Sequence, residues 1–446
     1  MPHAVDTVIP IELHHVALDS YIETLPVRLL ARMAIAAWVL TVAVLALAGL
    51  HPSPWLSDNV ALVLSPQQTN RLDSHRYALS TTSTSSPVRG CQNPEIVVTE
   101  PRENAAITLL VREQDLAELL PTLRNFEKRF NRQFRYAYVF LTAPVDPPFS
   151  TMFQEQVVAS LPEGAVVEWA TVEPRYWRIP ETMDVANVRS GFEQQQKDGV
   201  QYAGREGYHH MCRYFSGLWV RTAALQKYDW YWRLEPGVRF YCTISYDPFR
   251  FMALNHKIYG FVITIVENMN TIPTLFDSIL ELVQKHGLVP GSRLWQFLLK
   301  KGDPGAYSGC HFWTNFEIGD LRFFRSEPYQ TVFNELDQAG GFFSERWGDA
   351  PVRSLALGLL SDVDRIHYFE DFAYQHDWFM HCPQEKGLGC DCQCPVYSKD
   401  PLPKNELTDV DHDWRFSCLD RWKETVGTSA SSIHPLPPNN KRPPIR

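Results

Sequence analysis

Between residues 105 and 172 the chain alternates apolar runs with amphipathic stretches, and this alternation limits its fold more than any other feature. The run 105–111 (AAITLLV) reads as a buried strand, and 136–141 (YAYVFL) and 166–172 as a second and a third strand. Helical patterns fill 114–130 and 154–161, with Pro121 placing a break inside the first. Strand–helix–strand–helix–strand predicts a parallel α/β sheet that takes ligands at the carboxyl ends of its strands. A nucleotide would then sit near 111–113 and 142–144. Neither GxGxxG nor GxxxxGK[ST] occurs, so dinucleotide-dehydrogenase and P-loop readings lose their main support. Helices are expected over 208–227, 247–254, 275–286, 326–339 and 351–360, and one strand over 259–266.

At 446 residues the chain is longer than one average domain, and its ends have a different character. Residues 33–50 (MAIAAWVLTVAVLALAGL) hold no charge. As a helix they span roughly 27 Å, close to the hydrocarbon thickness of a bilayer. Arg28 and Arg32 precede this segment and no Lys or Arg follows before Arg71, which orients it with residues 1–32 in the cytosol. The long polar leader argues for an uncleaved anchor over a cleaved signal peptide ending near 46–48. Residues 51–98, with their Ser/Thr-rich stretch, read as a stem, residues 99–425 as the globular domain, and residues 426–446 as a disordered tail. All nine cysteines lie beyond the apolar segment, which suits an oxidising compartment. An odd count leaves at least one outside intramolecular disulfides, and Cys390-Asp391-Cys392-Gln393-Cys394 lacks CxxC spacing, favouring disulfides over zinc. A net charge of −9 argues against a nucleic-acid partner.

Three constellations carry chemistry. The first is 231–242 (YWRLEPGVRFYC), where an apolar run delivers Glu235 to a Pro-Gly turn and Arg233 shares its face of the strand. A rigidly held carboxylate suits a divalent metal and a nearby Arg suits a phosphate, although a β-turn with a surface salt bridge fits the same residues. The second is 310–318 (CHFWTNFEI), which sets His311, Asn315 and Glu317 among aromatic residues. A partly desolvated carboxylate there is fit for acid, base or nucleophilic work, or for structural pairing with an Arg. The third is 346–351 (RWGDAP), where Asp349 also has the position of a helix-start acid. His376, with His367 and His381 nearby, offers imidazole to a metal. Asp362-Val363-Asp364 and Asp409-Val410-Asp411 match the Asp-x-Asp string, but read best as solvated turns.

Taken together and in order, 208–217 (YHHMCRYFSG), 228–242, 246–252 (YDPFRFM), CHFWTNFEI, RWGDAPV and 374–376 (YQH) resemble the fungal Golgi α-1,2-mannosyltransferases of glycosyltransferase family 15, from about 104 to 383. The resemblance implies a GT-A-like α/β fold with a mixed, mainly parallel sheet behind an N-terminal transmembrane anchor. It implies a single-pass type II Golgi membrane protein with a lumenal catalytic domain. The donor would be GDP-mannose, the cofactor Mn²⁺, and the acceptor a mannose-terminated O- or N-linked glycan, with complexes among Golgi transferases as further partners. Glu235 and His376 would hold the metal, Tyr208 and Arg233 would contact the phosphates, and Asp349 would bind a sugar hydroxyl. Glu317 matches the proposed nucleophile of a retaining reaction. It would either attack the sugar or stabilise positive charge while the acceptor enters on the face GDP leaves. Arg353 stands where the resemblance leads one to expect His, and the CDCQC cluster has no counterpart in it. A non-catalytic, glycan-binding member of the family and a nucleotide-independent glycosidase using Glu317 and Asp349 are the competing readings.

Overall fold

The computed structural model describes residues 88–93, 101–395, 407–413 and 415–427. In chain order the principal elements are β1 (Ala105–Leu110), α1 (Leu116–Phe126), β2 (Ala137–Thr142), α2 (Thr151–Ala159), β3 (Val167–Thr171), α3 (Val185–Lys197), α4 (Glu206–Arg213), β4 (Trp230–Arg233), β5 (Arg239–Phe240) and α5 (Pro248–Leu254). They continue with β6 (Tyr259–Phe261), β7 (Thr264–Val266), α6 (Leu275–Lys285), α7 (Arg293–Leu298), β8 (Leu299–Lys300), β9 (Asp303–Tyr307), β10 (Cys310–Phe312) and β11 (Glu317–Asp320). The remainder are α8 (Leu321–Arg325), α9 (Glu327–Ala339), α10 (Asp349–Leu360), β12 (Ile366–Tyr368), β13 (Tyr374–His376), β14 (Phe379–His381), β15 (Thr408–Asp409) and α11 (Leu419–Gly427).

Seven strands form the central sheet in the order β12-β6-β11-β4-β1-β2-β3. Every neighbouring pair is parallel except the two made by β11, which runs antiparallel to both β4 and β6. The sheet is therefore mixed and mainly parallel, as expected. Alternate residues of each inner strand enter opposite cores: Ile107, Leu109, Tyr138, Phe140, Trp230 and Trp232 on one side, Ala106, Val139, Leu141 and Tyr231 on the other. Burial on both faces explains why these strands show as unbroken apolar runs.

Two expectations are corrected. Pro121 does not break its helix, because both Pro121 and Ala117 face solvent. Water can satisfy the carbonyl freed by the missing N–H, while Leu119, Leu123 and Phe126 hold the buried side. The strand expected over 259–266 is two strands in different sheets, β6 in the central one and β7 paired with β10. Helix α3 is an addition that sequence reading missed.

A second sheet, in the order β15-β14-β13-β5, carries the ends of the site. It is cross-linked through CDCQC: Cys390 to Cys91, Cys392 to Cys242 just after β5, and Cys394 to Cys382 just after β14. A fourth disulfide joins Cys310 to Cys418, and Cys212 remains as a free, buried thiol. Cys91 lies in the described part of the expected stem, so 88–93 is tied to the globular unit, and Arg89 also pairs with Glu385 at 2.6 Å. Among the described residues no helix is long and apolar enough to cross a membrane, and the expected anchor at 33–50 lies outside them. So do the cytosolic segment 1–32 and nearly all of 426–446.

Asp371, in the loop between β12 and β13, is 5% exposed, and burial pushes its carboxyl up to about 7. A group whose pKa is raised by folding favours the folded state below its unfolded pKa and loses that contribution as pH rises through its folded value. The neutral isostere Asp371→Asn is therefore expected to raise the melting temperature. The gain should grow from pH 5 to pH 8 and reach a few degrees at pH 8, as read from thermal melts at both pH values. An equal or falling gain across that range rules the argument out.

Candidate active site

Strand β4 ends at Arg233, and the turn through Glu235, Pro236 and Gly237 hands the chain to β5. Gly237 has φ 86°, a conformation that favours glycine, and its N–H donates to Thr122 Oγ1 at 3.0 Å. Glu235 thus sits where the central sheet gives way to the second one. Strand β13 pairs with β5 through Tyr374↔Phe240 and Gln375↔Arg239, so its last residue, His376, arrives beside that turn. Glu235 Oε2 lies 3.5 Å from His376 Nε2. Trp313 packs edge-on against the imidazole with ring centroids 5.0 Å apart.

Arg233 ties the cluster together. It is buried above the Phe215 ring at 3.8 Å, donates to Asp349 Oδ2 at 2.6 Å and to Glu235 Oε1 at 2.5 Å, and lies 4.0 Å from Glu317 Oε1. Asp349, the first residue of α10, also accepts from Thr314 Oγ1 at 2.8 Å. Glu317 opens β11 directly opposite Arg233 in the sheet register. Behind it Arg353 approaches at 3.4 Å from Nε to Oε2, with its guanidinium over the rings of Trp219 and Phe324 at 4.1 and 4.6 Å. Glu317 and Arg353 are both 0% exposed.

Three carboxylates thus face two guanidiniums. Burial works against the Glu235 charge, but Arg233 and then His376 hold its carboxyl down to about 2. Burial likewise opposes a charge on His376, yet Glu235 and Asp377 keep its pKa above the ordinary imidazole value. Glu317 goes the other way, because burial outweighs Arg353 and Arg233 and raises its carboxyl. Burial pushes the Cys212 thiol up to about 12, which leaves it inert.

Glu235, Arg233, Glu317, Asp349 and His376 come together as one cluster, with Tyr208 on α4 beside Arg346 just before α10. Both terminal nitrogens of Arg233 are taken by carboxylates, which makes it the internal countercharge of the cluster. Glu317 lies opposite Arg233 at the start of β11, with Arg353 behind it and none of its surface exposed. Arg353 and Arg346 were missed as site residues, although RWGDAPVR contains both. Each Asp-x-Asp string is structural: Asp362 caps the turn after it and Asp364 pairs with Arg293 at 2.7 Å. Asp409 is buried and not solvated as expected, and Asp411 pairs with His381.

A carboxylate oxygen and an imidazole nitrogen side by side, with a surplus of negative charge behind them, fit an ion such as Mn²⁺ that accepts mixed O/N ligation. Glu235 and His376 are the residues that would hold it.

A model of the glycolipid 2-alpha-mannosyltransferase family matches residues 64–427. The chain is 39% identical over 323 residues to the O-glycoside alpha-1,2-mannosyltransferase omh1 of Schizosaccharomyces pombe, covering 72% of this chain and 78% of that protein. The fold is similar to that of core-mannan synthase A (CmsA/Ktr4) from Aspergillus fumigatus in its Mn/GDP form, with TM-score 0.66 and 31% identity over 79% of this chain and 93% of that one. It is also similar to the mannosyltransferase Ktr4p from Saccharomyces cerevisiae in complex with GDP, with TM-score 0.67 and 34% identity over 82% and 93% of the two chains.

Proposed function

The chain belongs to the glycolipid 2-alpha-mannosyltransferase family, and from that premise and its site we propose that it transfers mannose from GDP-mannose to the 2-hydroxyl of a mannose-terminated glycan. The observation that carries the reading is the meeting of Glu235 and His376, 3.5 Å apart, at the end of β4. Relatives solved with GDP and with Mn and GDP support the same donor and cofactor here. Glu235 and His376 would hold Mn²⁺, which would supply Lewis-acid neutralisation of the diphosphate. Glu235 is ionised and pre-positioned by Arg233, and His376 is oriented by Trp313 on one side. Asp349, fixed by Arg233 and Thr314, presents a carboxylate that accepts from a sugar hydroxyl.

The donor is α-linked and the product is α-linked, so configuration is retained. Enclosure of Glu317 favours the same-face route: at 0% exposure its carboxyl group has no open path to a sugar carbon. The protein is proposed as a single-pass type II Golgi membrane protein. The apolar segment 33–50 supports this, and four disulfides suit a lumenal domain. Domain limits of 99–425 and assembly with other transferases belong to the same proposal.

The test is direct. The full chain in detergent, given GDP-mannose, Mn²⁺ and methyl-α-mannoside, is expected to yield a disaccharide that α-1,2-mannosidase cleaves. EDTA should abolish the product and added Mn²⁺ should restore it. Absence of transfer to any mannose acceptor, or activity indifferent to EDTA, would overturn the proposal.

A further inference from the structure

Next to the carboxylate cluster lies a second polar group that the reading above leaves unused. Arg346 is 4% exposed, yet its Nε is buried without a hydrogen-bond partner, and the carboxylate nearest its guanidinium is that of Glu267, with Oε1 3.8 Å from Nη2. Its backbone N–H is fixed on Thr271 O at 3.2 Å, and its guanidinium lies 5.4 Å from the centroid of the Tyr208 ring. Glu267, just past β7, has one oxygen accepting from the Asn268 N–H at 2.8 Å. His311 on β10 is 3% exposed and its Nδ1 is likewise without a partner. A buried donor left unbonded is costly, so the arrangement is poised for a ligand.

Gly348 supplies the room. Its φ of −84° is open to any residue, so conformation does not require glycine there. A Cβ at that position would meet Arg346 Nη1 at 3.4 Å and Glu267 Oε2 at 3.5 Å, so the missing side chain leaves space between the two charged groups.

We infer that Arg346 and Glu267 form a clamp for two adjacent hydroxyls of a mannosyl ring. A phosphate would face repulsion from Glu267. A vicinal diol instead accepts from Arg346 while donating to Glu267, satisfying both without adding charge. The mannosyl ring is either that of the donor or the terminal sugar of the acceptor. This inference rests on the mannosyl-transfer reading.

The test compares the wild-type chain with Arg346→Lys, which keeps the charge but loses the planar fork, and with Glu267→Gln. Transfer is expected to fall at least tenfold in both, with the affinity for GDP in the presence of Mn²⁺ within twofold of wild type. If the clamp holds the donor sugar, GDP-mannose affinity drops towards that of GDP while the acceptor KM stays put. If it holds the acceptor, the KM for methyl-α-mannoside rises tenfold or more while GDP-mannose affinity is unchanged. Affinities and KM all within twofold of wild type would overturn the inference, as would a parallel loss of GDP affinity, which is the signature of a phosphate contact. Should Arg346→Lys not fold, Glu267→Gln decides by the same readings. Wild-type protein that transfers no mannose defeats the functional reading itself, whereas active wild type with unaffected variants defeats only the clamp.

Discussion

Glu235→Ala is expected to lower kcat/KM for mannosyl transfer by on the order of a thousandfold, through loss of the metal and not of the fold. The Glu235 carboxyl is held down to about 2, so it is ionised at any working pH. One of its oxygens is fixed by Arg233 and the other faces His376. Without it, two carboxylates oppose two guanidiniums, and the surplus negative charge that attracts a divalent cation disappears along with one ligand. The fold survives because Glu235 is at a turn with a quarter of its side chain exposed, and Arg233 keeps Asp349 at 2.6 Å.

Two measurements separate these effects. Mn²⁺ and GDP at a hundredfold excess over Kd stabilise the wild type by about 2.7 kcal/mol through binding linkage, and that thermal shift should vanish in the variant. The melting temperature without ligand should fall, because a carboxyl held down by folding stabilises the folded state at neutral pH, but the variant should still melt cooperatively. Glu235→Gln, which keeps the size but loses the charge, is expected to behave like the alanine variant. Retention of the Mn²⁺-dependent shift, or of a wild-type rate, would remove Glu235 from the metal site.

Glu235 and His376 stood out through the order of the motifs, because their local cues, a Pro-Gly turn after an apolar strand and one histidine among three, fit structural roles as well. Strands β1 and β2 were legible because burial on both faces writes a nearly unbroken apolar run, whereas β3, at the sheet edge, is only partly buried. What stayed hidden depends on register and long-range packing. Nothing near Glu317 says that it will lie opposite Arg233, since that follows from the antiparallel insertion of β11 between β4 and β6. Arg353 stood out only as a departure from an expected His, and its partner Glu317 is remote in sequence. Helix α3 buries only Phe192, too little to leave a periodic signal. Trp232 and Arg233 show the limit from the other side, since alternation gives their faces correctly but not which carboxylates will claim the guanidinium.

Arg353→Met is expected to destabilise the protein by about 3–5 kcal/mol, the usual result of stranding one partner of a buried ion pair. Both members are 0% exposed, so solvent screens neither, and Arg353 is the cation nearest to Glu317 at 3.4 Å. Arg233 at 4.0 Å is already committed to Asp349 and Glu235 and cannot replace it. The Glu317 carboxyl is raised by burial even with Arg353 present, and losing that cation raises it further. A raised group stabilises the folded state below its unfolded pKa and loses this as pH climbs through its folded value, so the deficit should be smaller at pH 5 than at pH 8. The double variant Arg353→Met/Glu317→Gln removes both charges and should recover most of the lost stability, with a coupling well above the few tenths of a kcal/mol expected of independent sites. Activity should not recover with it, because the double variant lacks the Glu317 carboxyl group. A single variant equally stable at both pH values, or a double variant no more stable than the single, would show that Arg353 supports the fold by packing on Trp219 and Phe324 and not by pairing with Glu317.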